Sequence, residues 1–323
     1  IALGKGEAGE MALKLAEKTE FGFMGRMADR EAAIATVKLA EDNGFSSIWL
    51  GDHIAFAVPI MDPLLQLAQA AALSDKVTVA TGVYLLALRH PTLTAKLTST
   101  LDNLSGGRFI FGTGVGGEFP GEFAAVGVPH KERGARVSES IEVIRKLWTG
   151  EKVSHKGRHF DIPETQMLPK PVQPGGPPVW VGGRSGAALR RAAQLCDGWI
   201  SYVVTPEMFA ESLATIEQEM EKAGRTVDRY GTGHLYFFRI DDDFDTAWDK
   251  ATQHLTRRYA MDFRKPAKRY AALGTPEQVA EQIRAFHAAG VRHFVMDPTG
   301  PDGEEMAQLE RFAKEVRPLL GDL

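Results

Sequence analysis

Short apolar runs alternate with amphipathic stretches from one end of the chain to the other, a spacing that predicts repeated strand-then-helix units and a parallel sheet. Eight runs read as strands: 21–24, 47–50, 77–83, 108–112, 179–181, 198–202, 234–239 and 293–296. The helices between them carry local signals. Thr275-Pro276-Glu277-Gln278 combines a Thr N-cap, Pro at the first helical position and Gln at N3. Val279, Ile283 and Phe286 then fall on one face, and Gly290 supplies the stop. Thr205-Pro206-Glu207 repeats the opening signal, and Ile141, Ile144, Leu147 and Trp148 form a core-facing stripe.

Eight strands each followed by a helix predict a single-domain α/β protein, a TIM-like (β/α)8 barrel over residues 1–323 with insertion loops at the carboxyl ends of the strands. An open doubly wound sheet gives the same alternation, but the first strand is not followed by its Gly-x-Gly-x-x-Gly fingerprint. Two connections are longer than a barrel requires, Thr113 to Arg136 and Gly150 to Pro178, and long insertions on a compact scaffold are usually functional. Pro163, Pro169, Pro171, Pro174, Pro177 and Pro178 favour a stiff, extended path through the second.

Composition narrows the function classes. With 44% hydrophobic and 25% charged residues in 323, the chain can bury a sizeable core without disulfides or metal staples. A net charge of −4 with both signs interspersed offers no basic stripe for nucleic acid and no polybasic membrane anchor. One cysteine, Cys196, excludes an intramolecular disulfide, fits a reducing compartment and reads as a small buried filler. There is no apolar run of membrane-spanning length, and Ile1 to Glu20 lacks the pattern of a signal peptide, so a cytoplasmic location is expected.

In a barrel the chemistry sits just past the strands, at their carboxyl ends. The second strand ends in Gly51-Asp52-His53, a carboxylate and an imidazole suited to proton exchange, or else a loop cap and a packing residue. Thr81, Gly82 and Val83 follow the third strand, where glycine permits a flat ring to approach the backbone. Gly112-Thr113-Gly114-Val115-Gly116-Gly117-Glu118 follows the fourth, with Glu118 and Glu122 as its acids. After the fifth, Gly182-Gly183-Arg184-Ser185 opens a helix whose N–H groups suit a phosphate, unless it is only a tight turn with a Ser N-cap. Ser201, past the sixth strand, could add a hydroxyl. His155 and His159 flank Gly157 in a segment unsuited to a helix, and no metal-ligand cluster stands out. Phe56, Val58, Ile60 and Met61 suggest a hydrophobic pocket for a small-molecule substrate.

The run from His90-Pro91 through Ala95-Lys96 and Leu101-Asp102 to Leu104-Ser105-Gly106-Gly107-Arg108 resembles the signature of bacterial-luciferase-like oxidoreductases. Arg133 to Arg136 with Glu139, Leu147-Trp148 and Gly157, and the stretch from Pro169-Lys170-Pro171 through Pro178-Val179-Trp180-Val181-Gly182-Gly183 to Asp197-Gly198-Trp199, are similar as well. The resemblance implies a barrel that binds F420 or FMN at the strand ends, usually as a homodimer, with a flavin or F420 reductase supplying reduced cofactor. It implies that Asp52 and His53 lie beside the reactive ring with Glu118 as a second acid. Thr81, Gly82, Val83 and Gly114 would lie against the ring, and Gly182, Gly183, Arg184 and Ser201 near the phosphate. Hydride transfer with F420 is the leading expectation, an FMNH2-dependent monooxygenase the second, and a non-catalytic flavin-binding barrel the third.

Overall fold

The computed structural model describes residues 13–56 and 59–323; residues 1–12, within the stretch read for a leader, and Ala57-Val58 lie outside them. Eight strands, β1 to β8, span Glu20–Met24, Ser47–Leu50, Thr78–Thr81, Phe109–Gly114, Val179–Gly182, Gly198–Tyr202, Val227–Ile240 and His293–Pro298. Each pairs in parallel with the next. Strand β8 then pairs back onto β1 from His293↔Glu20 to Met296↔Phe23, which closes the sheet and rules out the open alternative. Helices lie between successive strands, among them Pro63–Leu73, Pro91–Leu104, Arg133–Trp148, Gly186–Leu195 and Pro276–Ala288. Their starts follow the sequence: Thr275 and Gln278 form the reciprocal capping box, and Asp29, Asp62, Ser185 and Thr205 each cap a helix.

The barrel interior is plugged by two tryptophans. Trp49 and Trp180 pack with ring centroids 5.4 Å apart, and His293 lies edge-on to both. Three glycines make room for Trp180. A Cβ on Gly231 would fall 2.1 Å from its ring, on Gly198 2.6 Å and on Gly233 2.8 Å, so β6 and β7 must be bare there. Ser47 Oγ accepts the Trp49 indole N–H at 2.8 Å and meets His293 Nε2 at 2.8 Å. Burial lowers the His293 pKa to about 4, so this interior imidazole is neutral near pH 7.

The strand bounds differ from the sequence pattern in two informative places. Strand β3 ends at Thr81, so Gly82 and Val83, joined by a cis peptide, stand free of the sheet at the mouth, and Tyr84–Leu85 then pairs beside Thr113 and Gly114. Strand β7 is extended back to Val227, where the chain pairs with Leu13–Leu15. The Gly150–Pro178 insertion contains an antiparallel hairpin, Lys152–Lys156 with Asp161–Gln166, which carries His155 and His159 along helix Arg133–Trp148. There His155 pairs with Glu139 and His159 with Glu132, at 3.2 and 3.5 Å. A third insertion follows β7 and holds helices Phe244–Tyr259 and Arg264–Tyr270.

Candidate active site

At the end of β2 the two adjacent candidates separate. The Asp52 side chain is completely buried and accepts Arg89 through both oxygens, at 2.6 and 2.8 Å, and the Leu85 N–H at 2.8 Å. Burial pushes its carboxyl above the ordinary value while Arg89 and the Leu85 N–H oppose the shift. Asp52 is thus spent on holding the next loop.

His53 is partly open. Its Nδ1 lies 3.1 Å from Glu122 Oε2, and the second Glu122 oxygen accepts the N–H groups of Ile54 and Ala55 at 2.6 and 3.1 Å. Although burial pushes the Glu122 carboxyl up, the hydrogen bonds from His53, Ala55 and Ile54 hold it below the usual carboxylate range. An ionised Glu122 fixes the proton on Nδ1 and leaves Nε2 as the basic nitrogen of the neutral ring. Phe56 stacks on the imidazole at 4.1 Å, and Phe119 packs edge-on at 5.4 Å. Ile60 and Met61 are exposed, and Val58 lies outside the described residues.

Next to this dyad, the ends of β3, β4 and β5 form an arc of nearly bare backbone. A Cβ on Gly82 would meet Trp49 at 3.2 Å, and one on Gly114 would fall 2.4 Å from Val83. On Gly182 it would meet Val83 at an ordinary 3.5 Å. Val83 therefore leans across Gly114 towards Gly182, above the tryptophan plug. Beyond the arc, Gly183 turns the chain with φ of +118° into helix Gly186–Leu195. Ser185 caps that helix by accepting the Ala188 N–H, so the N-cap reading of this serine holds. The Gly186 and Ala187 N–H groups still have no acceptor within the helix. Arg184 is exposed and donates to Val203 O at 2.6 Å.

Strand β6 stands opposite β2 in the eight-strand ring, and a second polar group gathers there. Half-buried Tyr202 at the end of β6 shares a hydrogen bond with Tyr259. Arg258 sits over the rings of Tyr259 and Phe237, at 5.6 and 5.7 Å, and donates to buried Asp297 at 2.7 Å. Glu118 is exposed and its charge reaches both phenols, so Glu122, not Glu118, is the acid on His53.

Two expected contacts fall elsewhere. Thr81 is fully buried and its hydroxyl donates to Gly112 O at 2.7 Å, within the sheet. Ser201 is fully buried with its hydroxyl 2.7 Å from His234 Nδ1, because alternation along β6 turns it outward while Ile200 and Tyr202 point in. Cys196 is buried, and burial pushes its thiol up to about 12, as suits an inert filler. The sequence reading missed Arg89, Tyr202, Tyr259, Arg258 and Asp297. The last of these ends an apolar strand with an isolated acid, which was a usable signal.

The comparisons agree with this architecture. A family model described as luciferase-like monooxygenase matches residues 17–293. An F420-dependent glucose-6-phosphate dehydrogenase of Nakamurella multipartita is 28% identical over 318 residues, covering 87% of this chain and 91% of that protein. The structure of an F420-dependent secondary alcohol dehydrogenase in complex with an F420-acetone adduct superposes with a TM-score of 0.83 at 20% identity, over 94% of this chain and all of that one. The FMN complex of the oxygenating constituent of 3,6-diketocamphane monooxygenase from Pseudomonas putida gives 0.75 at 21% identity, over 93% and 98%. With the family model spanning the barrel from before β1 to the start of β8, the chain belongs to the luciferase-like monooxygenase family of oxidoreductases.

Proposed function

We propose that this protein transfers a hydride between F420 and a small organic substrate, with the His53–Glu122 dyad managing the accompanying proton. The observation that carries this reading is the dyad's place beside the bare arc of Gly82, Gly114 and Gly182. The missing Cβ atoms let Trp49 and Val83 close against the backbone, a planar ring would lie on the face that Val83 presents, and a phosphate would meet the N–H groups after Gly183 together with Arg184. F420 when bound supplies the hydride chemistry. The chain's residues bind and orient it, exclude water with Phe56 and Phe119, and hold or accept a proton at His53 Nε2. A separate reductase that supplies reduced cofactor and a cytoplasmic location belong to the same reading.

Titration with F420 and with FMN, each oxidised and reduced, tests it by fluorescence; tight FMN and no F420 binding favours instead an FMNH2-dependent monooxygenase, the reading that the family's name and the FMN-bound neighbour support. Gly182→Ala discriminates further. Its added Cβ meets only ordinary contact, so the melting temperature stays near that of the parent. Filling the arc lowers cofactor affinity about 10-fold or more, the scale of an overpacked site.

We also propose a homodimer. Leu65 (72% exposed), Leu93 (67%), Leu97 (48%) and Leu104 (61%) lie on the neighbouring helices Pro63–Leu73 and Pro91–Leu104, an apolar surface that a monomer has little use for. Light scattering is expected to give twice the chain mass, and the Leu93→Glu, Leu97→Glu double variant the single mass.

A further inference from the structure

Among the described residues, two that are not glycine adopt the left-handed region, Val203 at φ +54° and Ala260 at +52°. Ala260 ends helix Phe244–Tyr259, where a left-handed residue is a common stop. Val203 ends no helix. It follows β6 directly and is β-branched, a residue type for which this region is a genuine outlier. The neighbouring turn after β5 meets the same demand with Gly183. Glycine would serve the backbone at 203 as well, so the valine side chain has another purpose there.

The conformation is imposed from both sides. Before it, Tyr202 is paired with Leu235 of β7; after it, Val204 is buried and Thr205 caps helix Pro206–Lys222. Strain of this kind persists where the surrounding structure over-determines it. The Val203 side chain packs against the cluster of Phe237, Ala247, Ala251, Leu255 and Phe263, which joins the insertion after β7 to the barrel. Its carbonyl oxygen accepts the Arg184 guanidinium at 2.6 Å. No carboxylate pairs with Arg184 among the described residues, so this carbonyl gives an otherwise exposed side chain its direction. One bond to the carbonyl leaves the other donors of the guanidinium for an anion at the N–H groups after Gly183.

We infer that Val203 is a positioning residue for the cofactor's phosphate: its carbonyl aims Arg184, and its apolar side chain ties that carbonyl to the insertion after β7. This rests on the redox reading above. Arg184 would touch the phosphate, and Val203 acts only through it. The insertion thereby contributes to cofactor affinity, because loosening its cluster lets Val203 relax towards the extended region and turns the carbonyl off the guanidinium.

The test is fluorescence titration with F420 against its phosphate-free deazaflavin riboside, and with FMN against riboflavin, for the parent, Arg184→Ala, Val203→Gly and the double variant, with a melting curve for each. Arg184→Ala is expected to weaken the phosphate-bearing ligand about 5-fold or more, the scale of a charge-assisted hydrogen bond near the surface, and to spare the phosphate-free one. Val203→Gly is expected to weaken the phosphate-bearing ligand about 2- to 5-fold with the same selectivity, the scale of immobilising one long side chain. The double variant should lose no more than Arg184→Ala alone, since both act through one contact. Val203→Asn accepts the left-handed region but brings no apolar side chain to the cluster; it should reproduce Val203→Gly, and it replaces that variant if the glycine form does not fold. Equal weakening of both ligands by Val203→Gly, or no weakening of either, overturns the inference and leaves Val203 a packing residue. Additive losses in the double variant overturn it as well. Failure of the redox reading registers differently, as absence of F420 and FMN binding to the parent, and takes this inference with it.

Discussion

Replacing His53 by alanine is expected to lower turnover by about 100-fold or more, the scale of a general acid or base, while changing cofactor affinity far less. Steady-state kcat and a fluorescence titration measure the two quantities separately. The expectation follows from how the ring is held. Glu122 takes its Nδ1 while the Ile54 and Ala55 N–H groups immobilise the carboxylate, so the imidazole has one tautomer and one orientation. Glu122→Gln keeps the shape but replaces the carboxylate that orients His53 through Nδ1, and so lowers kcat in the same direction by less. The pH dependence has a definite sign. Because the folded protein depresses the Glu122 pKa, its stabilisation is fully present above the unfolded carboxylate value and is lost as pH falls through the lower folded one. Glu122→Gln should therefore flatten the acid limb of the stability curve in that window. Unchanged kinetics in His53→Ala would reduce the ring to a spacer between Phe56 and Phe119.

The barrel was legible because period and punctuation agree: every strand begins within a few residues of its apolar run except β7, and the caps at Thr205 and Thr275 sit where their chemistry demands. Strand β7 was too short in sequence because Asp228 and Arg229 break the apolar run, while the pairing that recruits them comes from Leu13–Leu15, more than 200 residues away. The site was half legible. Residue type and strand end sufficed to find His53 and the glycines, since both depend on local backbone. They could not tell Glu122 from Glu118, because the choice depends on how the Gly116-Gly117 turn folds. Nor could they reveal that Asp52 faces Arg89, or that alternation turns Ser201 away from the mouth. Tyr259 and Arg258 were invisible for another reason: Ala247, Ala251 and Leu255 give their helix the ordinary pattern of a barrel helix, and nothing local says that its last turn reaches the mouth.

Asp52→Ala is expected to cost about 3–5 kcal/mol of folding stability, the scale of breaking a buried ion pair from one side. A lowered denaturant midpoint with an unchanged slope would record it. The side chain is completely buried, and its removal leaves the Leu85 N–H without its acceptor and the Arg89 guanidinium with only the Leu85 carbonyl and a 3.8 Å pairing to Asp62. The pair itself need not be worth much, since burial works against the Asp52 charge while Arg89 works for it. Replacing both partners by apolar residues, Asp52→Leu with Arg89→Met, should therefore recover much of the loss, and this double variant separates the cost of an orphaned charge from the net value of the bridge. The effect should also reach the mouth. Arg89 lies over the Tyr84 ring at 4.2 Å, and Tyr84–Leu85 pairs with Thr113 and Gly114, so the loop that loosens is the one bordering the glycine arc. Asp52→Ala should accordingly lose cofactor affinity along with stability, whereas His53→Ala keeps both and loses turnover. The reverse pattern, a stable Asp52→Ala that binds cofactor and fails only in turnover, would move Asp52 from the scaffold into the chemistry.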